Sequence, residues 1–444
     1  MIYVLGVLLF IVGLLFSVWF HELGHFLTAR AFGMRASQFM VGFGPTIWSK
    51  KVGETEYGLK WIPLGGYVRI VGMIPPPKPD APKASSRIGK MIEDIRAQSS
   101  AELQPGDETR AFYTKPWWQR VIVMVAGILQ NLILAFILFA IILCGIGVQQ
   151  PSLTVSSISE CVLPATSSVK DCKTPIDSTG KPCPTIGQGG CELPPASPAA
   201  DAGFRPGDKI KSINGTPTGN WDDVRNKIRV SAGKDLDFVV ERHGKAVTLA
   251  VTPMENKVVS DSNSKKYVTV GFLGISPTTP LTTQSIAEVP GQVGHFLSLS
   301  AQRLIEIPQR VPQLIDATFG SAKRDPNGPV GLVGVGRISG EIFDLPQSTS
   351  EKIAYFLSLL ASLNMVLCLF NVVPLYPLDG GHAAGALAEG VRNGVHRIRG
   401  KPRAGALDVA KMMPVGYVMA VVIIAFSVLL VVADIVNPVT LMSQ

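Results

Sequence analysis

Charge is scarce in this chain, and unevenly so. Only 17% of the 444 residues are Asp, Glu, Lys or Arg, against 47% hydrophobic. That balance excludes an ordinary soluble enzyme and reads as a membrane-embedded protein with soluble portions. Residues 1–20, 121–151, 353–378 and 412–433 hold no charged residue and no histidine, and a bilayer takes about 20 residues to cross. Four transmembrane helices are expected, the first continuing past residue 20. That first stretch has no basic start, no clean cleavage context and too much length for a secretory signal, so it is read as a helix that stays. The sequence also lacks internal repeats and long low-complexity tracts, which excludes repeat architectures.

Where charge is present, its placement sets an orientation. Residues 31–117 carry twelve Lys and Arg, and 379–411 carry six, several of them in the run RIRGKPR. Positive loops stay in the cytoplasm, so both termini and the long segment from about 149 to 352 are expected outside. The net charge of +8 then follows from topology. It calls for an acidic lipid surface and for no nucleic acid.

Cysteine is sparse and split. Cys144 and Cys368 fall in the apolar spans, where buried thiols are ordinary. Cys161, Cys172, Cys183 and Cys191 share one Pro- and Gly-rich stretch of the outer segment. An even number outside the cell points to two disulfides, with three pairings open. A tetrahedral zinc site is the alternative, weakened by the absence of any C-x-x-C pair.

The histidines are few but pointed. The first span runs into FHELGH, residues 20–25. His21 and His25, four apart, stand one turn apart on the same face of a helix, as two ligands of one metal do. Glu22 beside them is placed to take a proton from water, which completes the H-E-x-x-H zinc signature. Ionisable groups at membrane depth are costly, so a satisfied polar cluster or a proton-coupled transport site is the competing reading. Four spans without a repeat argue against transport.

Zinc hydrolases usually use three protein ligands. The third span ends NMVLCLFNVVPLYPLDGGH, where Pro374 and Pro377 must break the helix. A broken backbone is tolerated at that depth only where it lines a cavity. Asp379 follows and is assigned as third ligand, a helix-capping Asp being the alternative.

The outer segment reads as strand, Gly-rich loop, strand, turn, helix and hairpin through SPAADAGFRPGDKIKSING, NWDDVRNKIR and DLDFVVERHGKAVTLAVTP. This is the order of a small domain that receives an extended peptide by strand addition. Beyond it are expected a strand, one or two amphipathic helices on the membrane face, and GPVGLVGVGRISG, which is too Gly-rich for a regular span.

HELGH in a first membrane helix, NVVPLYPLDGG in a later one and AADAGFRPGDKIKSING between them together resemble the site-2 protease family of intramembrane zinc metalloproteases. The likeness extends to its bacterial members with a single PDZ domain, as in actinobacteria. It covers most of the chain. The resemblance implies one Zn2+ on His21, His25 and Asp379, with Glu22 as general base. Asn371 would hold the unwound substrate or its oxyanion, a purely structural Asn371 being the alternative. It also implies that WIPLGGYVRIVG, with Gly65, Gly66 and Tyr67, forms a membrane-associated hairpin that pairs with substrate. Gly203, Phe204, Gly207 and Asp208 would form the PDZ peptide loop. Substrates would be single-pass membrane proteins such as anti-sigma factors, already cut once by a site-1 protease. A non-catalytic membrane PDZ adaptor with a structural metal is the other reading. The chain departs from the family in two places: AGILQN at 126–131 lacks the usual Gly-Pro, and the four-cysteine insert enlarges the PDZ region.

The expected fold is therefore an α-helical polytopic membrane protein with four transmembrane helices, an inserted extracytoplasmic α/β PDZ domain and a membrane-associated β-hairpin. It would sit in the inner or plasma membrane with its active site near the cytoplasmic side. The expected segments are helix 1 at 1–32, the hairpin at 33–74, a cytoplasmic loop at 75–116 and helix 2 at 117–149. The PDZ domain follows at 150–255, then a strand and amphipathic helices at 256–351. Helix 3 with its LDG is expected at 352–390, a basic loop at 391–411 and helix 4 at 412–436.

Overall fold

The computed structural model describes residues 2–76, 86–163, 167–177, 180–183, 186–187, 190–260, 263–402, 405 and 407–441. The polar start of the expected 75–116 loop, parts of the cysteine insert and Arg403 of the basic run lie outside the described residues. The chain separates into two compact units, Met1–Gly147 with Thr283–Gln444, and Val148–Thr282.

The first unit opens with α1 (Ile2–Ala31). Val4, Leu8, Val12 and Phe16 form an exposed apolar stripe at i, i+4 spacing, while Phe10, Leu14, Ser17, His21 and His25 are buried. A stripe of this kind is stable only against lipid, so the bilayer turns the polar motif inward. Gly33, with φ +67°, ends the helix in the left-handed conformation that glycine adopts freely.

Strands β1 (Ala36–Val52) and β2 (Thr55–Ile70) follow. They do more than form the expected hairpin. Residues 38–41 have partners both in 66–69 and in 56–59. The ribbon therefore folds back on itself, with 38–41 as an inner segment and Gly66–Arg69 next to it. Gly42 and Gly44, at φ +88° and +84°, make the bend where a side chain would be strained. Phe26 of α1 stacks edge-on against Phe39 and Tyr57, which fixes the sheet to the helix.

The segment expected as a cytoplasmic loop contains α2 (Arg87–Ala101), opened by Ser86, whose side chain accepts from the Gly89 N–H. Arg35 makes a bidentate buried ion pair with Asp107 at 2.8–3.0 Å. Helix α3 (Trp117–Ala140) continues through a π-helical turn at Ile141–Ile146.

The second unit contains β3 (Val148–Gln149), β4 (Val155–Ile158), α4 (Pro198–Asp201), β5 (Lys209–Ile213), β6 (Thr216–Pro217) and α5 (Trp221–Arg229). It continues with β7 (Leu236–Arg242), β8 (Lys245–Val251), β9 (Met254–Ser260), β10 (Asn263–Phe272), β11 (Ile275–Pro277) and β12 (Leu281–Thr282). Its main sheet has the order β6-β5-β7-β8. Ile210, Ile213, Phe238 and Val240 of the sheet bury their side chains with Val224 of α5, Phe204 and Leu273, each contributing roughly 1.5–3 kcal/mol. The unit extends to Thr282, beyond the expected boundary at 255, because β10 packs on α5 and β11 pairs with β4. Cys161 lies at disulfide distance from Cys172, and Cys183 from Cys191, with Cα atoms 5.7 and 6.2 Å apart. Of the three pairings, neighbours in sequence are joined.

Two side chains of the expected peptide loop at 203–208 also serve the core of this unit. Phe204 is a core residue, edge-on to Phe238 at 5.3 Å. Asp208 is buried, accepting from Arg242 at 2.7 and 2.8 Å and from the Arg205 N–H at 2.8 Å. Gly203 and Gly207 bend the chain there at φ +75° and +93°. A cavity of about 330 Å³ lies elsewhere in the unit, lined by Trp221, Arg225 and Ile228 of α5 and by residues 270–275.

The first unit resumes with α6 (Val289–Phe319), α7 (Leu332–Asp344), α8 (Thr349–Val372), α9 (Asp379–Ile398) and α10 (Met413–Val436). Among the described residues four helices, α1, α3 with its π-helical turn, α8, and α10 with the turn before it, are long and apolar enough to cross a membrane. The latter part of GPVGLVGVGRISG, from Leu332, opens the 13-residue helix α7. Its glycines let it lie against α1: a Cβ at Gly340 would meet the Tyr3 ring, and Ser339 Oγ donates to the Gly6 carbonyl at 2.8 Å. Small residues replace bulk apolar packing where lipid offers no competing drive. Asn364 of α8 likewise donates to Ser17 Oγ at 2.8 Å. The expected third span with its LDG is two helices. Residues 373–378 separate them, since Pro374 and Pro377 supply no N–H, and α9 runs on into the segment expected as a basic loop.

Candidate metal centre

Three side chains from two helices converge. His21 and His25 lie on the buried face of α1, and Asp379 is the first residue of α9. His21 Nε2 lies 3.2 Å from His25 Nε2, and Asp379 Oδ2 lies 3.1 and 3.2 Å from the two nitrogens. Their ligating atoms form the group of His, Cys, Asp and Glu that could hold a metal ion among the described residues. A tetrahedral zinc with bonds of about 2.0–2.1 Å spaces its donors roughly 3.3–3.4 Å apart. The observed triangle matches that spacing within a few tenths of an ångström, and the two-nitrogen, one-carboxylate donor set suits zinc.

Helix α3 is the frame of this cluster. The His25 Nδ1 donates to the Val123 carbonyl at 2.8 Å. A carbonyl only accepts, so the proton sits on Nδ1 and the Nε2 lone pair faces the cluster. One turn on, Gly127 leaves the room that the ring fills, since a Cβ there would collide with the His25 imidazole. One further turn on, Asn131 Nδ2 lies 3.1 Å from His21 Nδ1. At the start of α3, Arg120 forms a buried ion pair with Glu389 of α9, and Trp117 lies against Gly390. Positions 117, 120, 123, 127 and 131 form one helical face, so a single helix positions both histidines and the helix that carries Asp379.

Two adjoining cavities border the cluster. One, of about 260 Å³, is lined by Glu22, His25, Tyr67, Asp379 and His382 among others; the other, of about 210 Å³, by His21, Glu22, Gly65, Asn131, Asn371 and Asp379 among others. Gly66 lines both, with a Cβ there predicted to fall 3.1 Å from Glu22 Cγ. The structure thus brings His21, Glu22, His25, Asp379, Asn371, Gly65, Gly66 and Tyr67 into one region. The Asn371 side chain has no hydrogen-bond partner among the described residues, and it lines the second cavity. Gly203, Phe204, Gly207 and Asp208 belong to the other unit.

Sequence reasoning missed Val123, Gly127, Asn131, Arg120 with Glu389, and His382, which stacks edge-on to Tyr376 at 4.7 Å. For the α3 residues a signal existed in the seven- and four-residue spacing of Arg120, Gly127 and Asn131 in an apolar span.

A family model described as peptidase family M50 matches residues 9–415. The chain is 33% identical to the zinc metalloprotease Rip1 of Mycobacterium tuberculosis, the match covering 99% of this chain and all of that protein. It is 29% identical to the metalloprotease MmpA of Caulobacter vibrioides over 85% of this chain and 86% of the relative. With the regulator of sigma-W protease RasP of Bacillus subtilis it shares 26% identity over 84% and 87%.

Proposed function

The chain belongs to peptidase family M50 and is a zinc metalloprotease, and from that premise we propose that it hydrolyses peptide bonds within transmembrane segments of single-pass membrane proteins. The observation that carries this reading is the triangle of His21, His25 and Asp379 at 3.1–3.2 Å with Glu22 on the wall of both cavities. The helix that carries the two histidines is itself long and apolar enough to cross a membrane.

His21, His25 and Asp379 would hold the zinc, which when bound polarises a carbonyl and makes water acidic enough to attack it. Glu22 accepts the proton of the attacking water and returns it to the leaving amine. Asn371, without a partner among the described residues, offers its carboxamide N–H to the substrate backbone or to the carbonyl oxygen as charge grows on it. A transmembrane helix hides its peptide groups until it unwinds. The segment Gly65–Ile70 beside Glu22 offers an unwound substrate a strand to pair with.

The Val148–Thr282 unit is read as an extracytoplasmic PDZ-like domain. Its peptide-sized cavity between α5 and residues 270–275 supports that reading, and so does the disulfide-distance pairing of its cysteines. It acts as a size filter, so a substrate is accepted after another protease has removed its outer domain. Anti-sigma factors are the proposed substrate class, in keeping with the name of the RasP relative.

The test is to reconstitute purified protein in liposomes with tagged single-pass reporters and to locate the cut by mass spectrometry. Cleavage inside the apolar segment, lost with a chelator and restored by zinc, is expected. Cleavage confined to exposed loops of the reporter contradicts the intramembrane assignment.

A further inference from the structure

Asn131 is buried, its side chain facing His21 from α3. As oriented, Nδ2 lies 3.1 Å from His21 Nδ1, while Oδ1 is buried without a hydrogen-bond partner among the described residues. An amide nitrogen only donates. In this orientation His21 Nδ1 accepts, and its ring proton belongs on Nε2, the atom that faces His25 and Asp379. That arrangement differs from His25, whose Nδ1 donates to the Val123 carbonyl.

A half-turn of the carboxamide about its last bond exchanges Oδ1 and Nδ2. Oδ1 then accepts from His21 Nδ1–H, and Nδ2 takes the position without a partner among the described residues. The lone pair moves to Nε2, and both histidines present the same face to the cluster. We propose that Asn131 is the positioning residue for His21. Its carboxamide oxygen accepts from Nδ1–H and holds the ring in the tautomer and orientation that metal ligation needs, as the Val123 carbonyl does for His25. The inference rests on His21 and His25 being ligands. It predicts a specific order among variants, because partners that orient a ligating histidine typically contribute about 10–100-fold in metal affinity.

Zinc affinity is measured by chelator competition on the full-length protein in detergent, for wild type, Asn131→Asp and Asn131→Leu, each shown monodisperse with unchanged helical circular dichroism. A carboxylate accepts but cannot donate. Asn131→Asp should therefore bind zinc within a few-fold of wild type or tighter, while Asn131→Leu, which has no acceptor, should bind about 10–100-fold more weakly. Equal weakening in both variants means that the amide donates or only packs, and overturns the proposal; so does wild-type affinity in Asn131→Leu. As a readout that needs no variant to fold, 15N-histidine NMR of the zinc-loaded wild type should show two ligated rings protonated at Nδ1. A ligated ring other than His25 without an Nδ1 proton also overturns it. Should wild type bind no zinc that His21→Ala abolishes, the ligand assignment itself fails, and this outcome is distinguishable from the others.

Discussion

Asp379 and Gly127 show how much depends on single atoms. Asp379 is the one proposed ligand that α1 does not supply, and its Oδ2 touches both histidine nitrogens. Asp379→Ala should lower zinc content at least about tenfold, checked by elemental analysis of purified protein; full occupancy would remove Asp379 from the ligand set. Gly127 has no chemistry of its own, yet a side chain there would meet the His25 ring. Gly127→Val should push that ring from the cluster and cost zinc and activity together, while apolar-helix content stays constant by circular dichroism. Retention of stoichiometric zinc in that variant would mean that α1 and α3 separate more easily than their packing implies. His21, Glu22, His25 and Asp379 were legible because the motif spacing encodes a shared helix face and the prolines encode a break. Asn131 and Val123 were not: an asparagine in an apolar span has many uses, and a backbone carbonyl has no letter in the sequence.

The elements differ in how openly they were written. The long spans follow from the absence of charge alone, and among the described residues four helices are long and apolar enough to cross a membrane. The curled β1–β2 ribbon was read as a membrane-associated hairpin without its fold-back, since alternation reports a strand but not that one segment has partners on both sides. At 203–208 the sequence showed a Gly-rich turn beside an Asp, but not which of its side chains close the core. Here Asp208 serves the core. Burial opposes its ionisation, but the Arg242 guanidinium and the Arg205 N–H outweigh burial and hold its carboxyl below the usual range. A carboxyl lowered in the folded state stabilises above its unfolded value of about 3.9 and loses that contribution as pH falls toward the folded value. Asp208→Asn should therefore destabilise the β5–β7 region at pH 6. Its deficit against wild type should shrink as pH drops below about 4. Hydrogen exchange of both proteins at matched pH checks this, and a pH-independent deficit would show that the charge is not what matters.

At the scale of the whole molecule, the sequence indicated an inserted domain but misjudged its end, because β9–β12 return to the unit by pairing and not by composition. Val148 and Thr282 are partners in the β3–β12 pair, so the chain leaves and re-enters the membrane unit through adjacent strands. Excising 148–282 and closing the gap with a short Gly-Ser linker should leave the metal cluster intact and release cleavage of reporters whose bulky outer domains block the wild type. Unchanged selectivity would remove the size filter from the account. The central claim is that Glu22 and the three clustered ligands cut peptide bonds within the membrane. It is tested most directly by comparing wild type with Glu22→Gln on a tagged transmembrane segment at equal zinc occupancy, since that change leaves the ligands in place and removes the base. The account predicts cleavage by wild type and a loss of about 10²–10⁴-fold in the variant. Equal rates from the two proteins would contradict it.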